Sequence, residues 1–311
     1  MSHLPIGHFG IQAIEIYKSV ICDSEILNLL EEILTATYEK YFGDEGVDFV
    51  RTYFQELRGL PQDSSFDLIK KLILKLRDIF RKSTLCSRYH DSFRRLNLAT
   101  SLRVVGFELF SGTVVDIGAD DNMLGYMLLE LCPTVSHVIG VDVETRDPII
   151  VDGKLEFRCQ NSLLRLPVVE SEADTVVVRY SFHHMSLQEQ VSIRDEIARV
   201  LKPKGNLIVY ENTFSFTIHP LVDNYGFHSK MLNLHDPVRI HLLLSALDVF
   251  SNGIKRKEIP FPYTYKMVED WNGFFEAGGF DSVETRYFGF PLYDLHQAPM
   301  GVFILENRET I

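Results

Sequence analysis

The spacing of apolar residues divides the chain into a helical first part and an alternating second part. Apolar side chains recur every three or four positions over 26–34 and 66–80, which predicts amphipathic helices. Asp23 or Ser24 is available to cap the first of these helices. From about Gly112, short β-branched runs alternate with helical patterns, and this alternation favours a parallel sheet with crossover helices. The pattern therefore predicts an α/β protein preceded by a helical segment.

Five predicted strands are followed by two more near the end of the sequence. The five runs read TVVDI, HVIGVDV, KLEFRC, DTVVVRY and NLIVYE. Helices are predicted over 123–131, 188–201 and 265–276, and the KPKG that follows the second of them is typical of a helix end that turns into a strand. A loop too short for a crossover helix separates the last two strands, 283–290 and 300–306, so we expect this pair to be antiparallel. We expect no helix in the short connection 144–153 between the second and third strands.

Composition and charge narrow the class of protein. Hydrophobic residues make up 46% of the 311 and charged residues 24%, which is ordinary for a globular protein. No apolar run approaches the roughly 18–20 residues that cross a bilayer. The first ten residues do not have the pattern of a signal peptide, and the four cysteines are far apart, so we expect reduced thiols in a cytoplasmic protein.

The net charge of −12 arises almost entirely after residue 100. An acidic domain repels phosphate backbones, which argues against broad nucleic-acid binding. The local exception is a run of basic residues between Lys70 and Arg95, whose ordinary interpretation is a solvated helix face.

The most specific pattern lies in 113–125, with the sequence TVVDIGADDNMLG. An apolar run ends at Asp116, the chain turns at Gly118, and a helical pattern follows. A second apolar run, VIGVD, ends at Asp142 about one strand later. This order of elements is a strand, a tight turn, a helix and a second strand that ends in an acid. Doubly wound sheets use this order to hold a nucleoside at the carboxyl edge of the sheet.

An ordered set of motifs resembles those of the class I S-adenosylmethionine-dependent methyltransferases. VVDIG resembles the family's first motif and GVDV the strand that carries its ribose-binding acid. NSLLRLP, ADTVVVRYSFHHM and EIARVLKPKGNLIVYE are similar to the later motifs, and the resemblance covers 107–211 and 265–306. It implies a Rossmann-like α/β fold, with a doubly wound, mostly parallel seven-stranded sheet and an antiparallel last strand.

The resemblance also suggests how the chain is divided. We expect a helical cap or recognition region over 1–105 and the Rossmann-like domain over 106–311. Within that domain we expect 212–263 to form a helical insertion that acts as a lid over the active site.

The resemblance implies S-adenosylmethionine as cofactor and S-adenosylhomocysteine as its product. Asp116 would position the ammonium group, and Gly118 would let the backbone approach the aminoacyl tail. Asp142 would accept hydrogen bonds from the ribose hydroxyls. The other residues implied around the cofactor are Val143, Asn161, Ser162 and Leu163 near the adenine, and Arg179 and Tyr180 near the ammonium group.

Two residues depart from the family's G-x-G-x-G turn. Asp120 and Asn122 stand where the second and third glycines are expected, and both are kept as predicted cofactor contacts. Asparagine tolerates a left-handed backbone better than most residues. Asp120 would bring a carboxylate toward the carboxylate of the cofactor. The sequence therefore leaves open the alternative that this protein is a relative that binds the nucleoside but does not catalyse the transfer.

His183 and His184 follow the fourth strand, near the place where the methyl group would lie. Either could remove a proton from a hydroxyl acceptor, and the ordinary alternative is that the pair opens the next helix and packs. The histidines of the predicted insertion match no zinc spacing, so we predict no metal site. The sequence favours transfer to oxygen or nitrogen of a small acceptor, with a peptide or protein acceptor as the alternative, and it gives no oligomeric state.

Overall fold

The protein is described here by a computed structural model that covers residues 11–88, 93–143, 148–162, 164–223, 225–255, 263–291 and 298–308. The chain divides into two compact units, and both are assembled from separate stretches of sequence. The helical unit takes Met1–Arg94, Val222–Phe261 and Gly289–Pro299, and the sheet unit takes Arg95–Leu221, Pro262–Phe288 and Met300–Ile311.

The helices of the described residues confirm the helical first part of the chain. Helix α2 begins after Asp23, whose side chain accepts a hydrogen bond from the Ile26 amide at 3.1 Å, so Asp23 is the cap and Ser24 the first helical residue. In chain order the helices are α1 (Ile11–Cys22), α2 (Ser24–Phe42), α3 (Asp44–Arg58), α4 (Phe66–Lys82), α5 (Thr84–Arg88), α6 (Arg94–Val105), α7 (Met123–Leu131), α8 (Leu187–Val200), α9 (Phe227–Leu232), α10 (Pro237–Lys255) and α11 (Val268–Glu276).

In the helical unit, α10 packs against α1, α2 and α4. The apolar face of α10 is buried and ends in Phe250, whose ring meets that of Tyr53 edge-on at 4.7 Å. At the rim, the Arg239 guanidinium donates to both Asp23 oxygens at 2.8 and 2.9 Å.

The basic run predicted between Lys70 and Arg95 lies mostly on α4 and continues onto α5 and α6. Lys71, Lys75 and Lys82 are exposed there, as expected for a solvated face, and Lys75 pairs with Glu56 at 2.9 Å. Residues 89–92 of the basic run lie outside the described part of the chain.

The sheet unit contains strands in the order β3-β2-β1-β4-β5-β8-β7, with β6 beside β5. The first five strands of this order are parallel, and β8 runs antiparallel to β5. This arrangement confirms the predicted doubly wound sheet with an antiparallel last strand. The strands are β1 (Gly112–Ile117), β2 (Val135–Asp142), β3 (Leu155–Cys159), β4 (Ala173–Arg179), β5 (Leu201–Phe214), β6 (Lys266–Met267), β7 (Phe280–Gly289) and β8 (Met300–Asn307).

Three details differ from or refine the sequence prediction. The KPKG segment is the bulged start of β5, with Lys204 at a φ of 61°, so it is not a separate turn before the strand. Lys266 and Met267 pair with Thr213 and Phe214 as the short β6, so the helix expected from Tyr265 begins only at Val268. The described residues between β2 and β3, from 148 onward, contain no helix, as expected.

The core of the sheet unit lies on one face of the central strands. Valine, isoleucine and leucine side chains of β1, β2, β4 and β5 pack there with α8 and α11, and Trp271 of α11 is fully buried among them. The carboxyl ends of the parallel strands are thereby held in one row, which is where the predicted site residues fall.

Among the described residues no helix is both long enough and apolar enough to span a membrane.

Candidate active site

The turn after β1 has the backbone of a glycine-rich loop without all of its glycines. Gly118, Asp120 and Asn122 have φ values of 79°, 53° and 65°, all in the left-handed region. A Cβ at Gly118 would overlap the Ser181 hydroxyl oxygen, so this position requires glycine for space as well as for conformation. The two residues that replace glycines therefore keep the turn's shape at the cost of some backbone strain.

Asp142 fixes this turn from the end of β2. Its Oδ2 accepts a hydrogen bond from the Asp120 amide at 2.8 Å, and its Oδ1 accepts one from the Val143 amide at 2.7 Å. Val143 is 44% exposed beside it. The carboxylate predicted to hold the ribose thus also holds the main chain of the turn after β1 and of the residue that follows β2.

Asn122 is directed away from the crevice and into the protein. Its side-chain amide donates to the carbonyl oxygens of Ile149 and Glu156 at 3.0 and 3.2 Å, and the residue is fully buried. Gly140 of β2 makes the space, because a Cβ there would overlap Asn122 Oδ1. Asn122 ties the turn to the segment before β3, and its predicted contact with the cofactor stays a prediction.

Asp116 is buried at the end of β1, with 2% of its surface exposed. No hydrogen-bond donor within the described residues reaches its Oδ2. Burial raises the pKa of Asp116 to about 7, and Asp142, Asp121 and Asp120 act in the same direction while Arg179 opposes them. A buried carboxylate oxygen without a donor, next to a turn open to close approach at Gly118, fits an ammonium group and its aminoacyl tail.

Arg179 and Tyr180 end β4 in a strained turn. Tyr180 has a φ of 49°, which is uncommon for an aromatic residue, and its hydroxyl donates to Met300 Sδ at 3.3 Å. The Arg179 guanidinium lies over the rings of Tyr180 and Tyr210. The hydroxyl of Ser181 donates to the Arg179 carbonyl at 3.0 Å, so this serine, which the sequence did not single out, meets both strand ends of the site.

Asn161 and Ser162 are exposed in the loop after β3. The buried Gln160 shapes this loop, because its amide donates to the Ser162 carbonyl at 2.9 Å. Leu163 lies outside the described residues. The backbone N–H of Gln160 donates to the Asp142 carbonyl oxygen at 2.7 Å. The loop thus presents both predicted adenine contacts to solvent at the same sheet edge as Asp142.

His183 forms a buried pair with Glu211. The Nδ1 atom lies 2.6 Å from Glu211 Oε2, and both side chains have no exposed surface. Glu211 accepts two further hydrogen bonds, from the Phe182 amide at 2.8 Å and the Asn212 amide at 3.1 Å. A carboxylate oxygen at this distance accepts a hydrogen bond, so we assign Nδ1–H of His183 as the donor of the pair.

The pairing of β4 with β5 explains why these two residues meet. Arg179 is opposite Tyr210, so Glu211 lies beside the start of the turn that carries His183. Glu211 is the acid at the carboxyl end of the fifth predicted strand, and this position is the sequence signal from which it could have been proposed as the partner of His183.

The segment before β6 encloses the other side of His183. The Tyr265 ring stacks on the imidazole at 5.1 Å, and the Thr264 amide donates to the His183 carbonyl at 2.8 Å. His184 is partly exposed, with its ring 4.1 Å from that of His183. Burial lowers the pKa of Lys266 to about 8, although Glu211 and Asp270 act in the opposite direction.

The comparisons with known proteins agree with this reading of the sheet unit. The family model described as a methyltransferase domain matches residues 115–209, which run from β1 to β5. "O-methyltransferase 9" of Dictyostelium discoideum is 31% identical to this chain over 104 residues. That match covers 32% of this chain and 28% of the relative, so the chain spans less than a third of the length of that relative.

Two solved methyltransferase structures are similar to this chain at low sequence identity. An S-adenosylmethionine dependent methyltransferase from Mesorhizobium loti is 11% identical, with a TM-score of 0.45 over 68% of this chain and 98% of that one. The Burkholderia thailandensis 1,6-didemethyltoxoflavin-N1-methyltransferase, solved with 1,6-didemethyltoxoflavin and S-adenosylhomocysteine, is 15% identical, with a TM-score of 0.44 over 80% of this chain and 93% of that one.

The matched segment contains the turn after β1, the acid that ends β2 and the strand order of a doubly wound sheet. Residues 115–209 are thus similar to the methyltransferase domain family.

Proposed function

We propose that the protein transfers the methyl group of S-adenosylmethionine to a hydroxyl oxygen of a small acceptor, with His183 as the base. The observation that carries this proposal is the buried 2.6 Å pair of His183 and Glu211 at the carboxyl end of β4 and β5. The name O-methyltransferase 9 of the Dictyostelium relative supports an oxygen acceptor.

The residues of the turn after β1 hold the cofactor in this proposal. Asp116 receives the ammonium group, Gly118 admits the aminoacyl tail, and Asp142 accepts from the ribose. When bound, the cofactor supplies a methyl group on a positively charged sulfur, which makes that carbon an electrophile. The protein's task is then to align the acceptor oxygen and to remove its proton.

Glu211 positions His183 for proton removal. With Nδ1–H donating to Glu211, the lone pair of the imidazole is on Nε2. This atom is buried in the structure, and it takes the acceptor's proton once the acceptor displaces the side chains that cover it. The carboxylate then stabilises the resulting imidazolium, as in other carboxylate–histidine pairs. The carboxylate is itself held by two backbone amides, so the tautomer is set before the acceptor binds.

The alternative of a relative without turnover is less well supported. It was motivated by Asp120 in place of a glycine, and Asp120 adopts the left-handed backbone that glycine would provide.

The test separates cofactor binding from proton removal. We expect His183→Asn, whose amide can still donate to Glu211, to lower kcat by about 100- to 10,000-fold on an acceptor found by screening with labelled cofactor. Binding of S-adenosylhomocysteine, measured by calorimetry, should change by less than about threefold, since the turn after β1 is untouched.

His184→Asn is the matched control, because it makes the same change at the neighbouring residue without touching Glu211. We expect it to keep kcat within about tenfold of the wild type. Equal losses of kcat in the two variants would overturn the assignment of His183 as the base. Absence of any cofactor binding by the wild-type protein would overturn the proposed function as a whole.

A further inference from the structure

The turn that carries His183 is too short to hold itself in place. It is a 3-10 helix of three residues, Phe182–His184, without a side-chain cap, and it follows Tyr180, whose φ is 49°. Short 3-10 helices have few internal hydrogen bonds, and their geometry is poor. A strained backbone persists only where its surroundings hold it. The position of the His183 side chain therefore depends on the contacts that other elements make with this turn.

Three carbonyl oxygens of the turn and of the residue after it accept hydrogen bonds from outside. The Gln190 side-chain amide, on α8, donates to the Phe182 carbonyl at 2.8 Å. The Thr264 backbone amide donates to the His183 carbonyl at 2.8 Å, and the Thr264 hydroxyl donates to the Met185 carbonyl at 2.7 Å. Two residues from distant parts of the sequence thus hold the main chain before, at and after His183.

Gln190 joins these hydrogen bonds into one network. Its side chain is fully buried, and its Nε2 also donates to the Thr264 hydroxyl oxygen at 2.5 Å. Its Oε1 accepts a hydrogen bond from Lys266, whose amine lies 4.4 Å from the centre of the Trp271 ring. A lysine amine donates and a backbone carbonyl only accepts, so these neighbours assign the orientation of the Gln190 amide.

The network and Glu211 are anchored on the same strand. Lys266 of β6 pairs with Thr213 of β5, two residues beyond Glu211, and the Thr213 hydroxyl donates to the Lys266 carbonyl at 2.9 Å. Strand β5 therefore fixes the imidazole of His183 through Glu211 and the main chain of the turn through the segment that contains Thr264. A hydrogen bond of 2.6 Å weakens when its partners move apart, so the turn and the carboxylate have to keep their separation.

We propose that Gln190 and Thr264 are positioning residues for His183, which hold its turn at the separation at which Nδ1 reaches Glu211. Both act through the main chain of the turn and not on the reacting atoms. The inference rests on the proposed function, because there His183 is the base. The placement of the imidazole can nevertheless be measured without an acceptor or a cofactor.

Proton NMR of the protein alone measures this placement. The Nδ1 proton of His183, held on a buried carboxylate, should give a signal far downfield of the amide protons and exchange slowly with water. Its absence in His183→Asn assigns it. We expect the signal to be lost in Gln190→Met and in Thr264→Val, which keeps the shape of the side chain without the hydroxyl. Thr264→Ser, which keeps the hydroxyl, should retain it.

Kinetics measure the consequence for the reaction. On an acceptor found by screening with labelled cofactor, Thr264→Val should lower kcat by roughly 10- to 100-fold, as a small displacement of a reacting group does. The KM of the acceptor and the Kd of S-adenosylhomocysteine should change by less than about threefold. Thr264→Ser should recover kcat to within about threefold of the wild type. If Gln190→Met does not fold, the two Thr264 variants still test the inference, since Thr264 is only partly buried.

Thr134→Val is the matched control. It also removes a threonine hydroxyl that donates to a backbone carbonyl at 2.7 Å, in this case that of Phe110. Thr134 directly precedes β2, at the end of the sheet opposite the predicted site residues. We expect this variant to keep both the downfield signal and the wild-type kcat.

The outcomes separate the inference from the proposed function. An unchanged signal and an unchanged kcat in Thr264→Val would overturn the inference and leave His183 as the base. Equal losses of kcat in Thr264→Val and Thr134→Val would overturn it as well, because a general loss of stability would then explain both. A wild-type kcat in His183→Asn would overturn the proposed base instead, and the NMR comparison would then decide the positioning role by itself.

Discussion

Asp116 makes the stability of the protein depend on pH near neutrality. The pKa of an aspartate is about 3.8 in its ordinary state and about 7 at this buried position, so the folded protein binds the proton more tightly than the unfolded chain. Between these values the free energy of unfolding falls as the pH rises, and above pH 7 the loss reaches about 4 kcal/mol at most.

We expect Asp116→Asn to remove this dependence. Urea unfolding of the wild type between pH 6 and 8.5 should show a free energy of unfolding that falls by about 1–2 kcal/mol, since part of the loss has already occurred below pH 6. The variant should show a flatter profile over the same range. Parallel profiles for the two proteins would mean that Asp116 does not titrate in this range.

Residues at strand ends were the most predictable part of the site. The positions of Asp116 and Asp142 could be predicted from sequence because each ends an apolar run, and the carboxyl end of a parallel strand is where ligands bind. Their contacts with the cofactor stay predictions. Ser181 and Gln160 could not be, since their importance lies in the main-chain groups they bind after folding. No local pattern records which carbonyl a serine or glutamine will reach.

Two residues other than glycine, Asp120 and Asn122, have left-handed backbone in the turn after Gly118, and only Asn122 has a described buried side-chain role there. We expect Asp120→Gly to stabilise the protein by about 0.5–1 kcal/mol, because glycine adopts this backbone without strain. Asn122→Gly should destabilise it by about 1–2 kcal/mol, since the amide bonds to Ile149 and Glu156 are lost from a buried site.

Thermal and urea unfolding of both variants, at one pH, measure this contrast. The two substitutions relieve the same kind of backbone strain, so each is the control for the other. Changes of the same sign in both variants would contradict the assignment of Asn122 as the tie between the turn and the segment before β3.

At the level of elements, the error at β6 has a simple origin. Residues 268–276 have helical spacing, and the apolar positions before them extend that pattern back to Tyr265. The pairing of Lys266 and Met267 with Thr213 and Phe214 depends on a strand that is distant in sequence. A two-residue strand has too few positions to show a period of its own.

In the helical unit, Arg239 connects the start of α10 to the start of α2. It pairs with Asp23 and with Glu25, and these contacts lower the pKa of Asp23. Because the groups are partly exposed, we expect Arg239→Ala to lower the free energy of unfolding by only about 0.5–1.5 kcal/mol.

Arg239→Lys is the conservative control, and it should recover less than half of that loss because lysine cannot bind both Asp23 oxygens at once. Urea unfolding at low and high salt measures the effect, which should shrink as salt screens the pair. An effect that does not respond to salt would show that the arginine acts through packing.

The association of distant segments into each unit was the least predictable feature. The helical character of the N-terminal part and of α10 could be derived from their periodicity. Helix α10 packs with α1, α2 and α4 through apolar faces that are far apart in the sequence. Periodicity shows that a helix has an apolar face but does not show which other helix packs against it. A role of the 212–263 segment as a lid stays a prediction.

The interleaved order of the two units has a consequence for synthesis on the ribosome. The helices before Arg94 emerge first, but α10, which completes their core, begins only at Pro237, after most of the sheet has been translated. At a translation rate of roughly 5–20 residues per second, on the order of ten seconds pass between the synthesis of the early helices and that of α10. Over this time the apolar faces that α10 covers are exposed. During that interval the nascent chain depends on chaperones, or on the helices' own transient association, to stay out of aggregates.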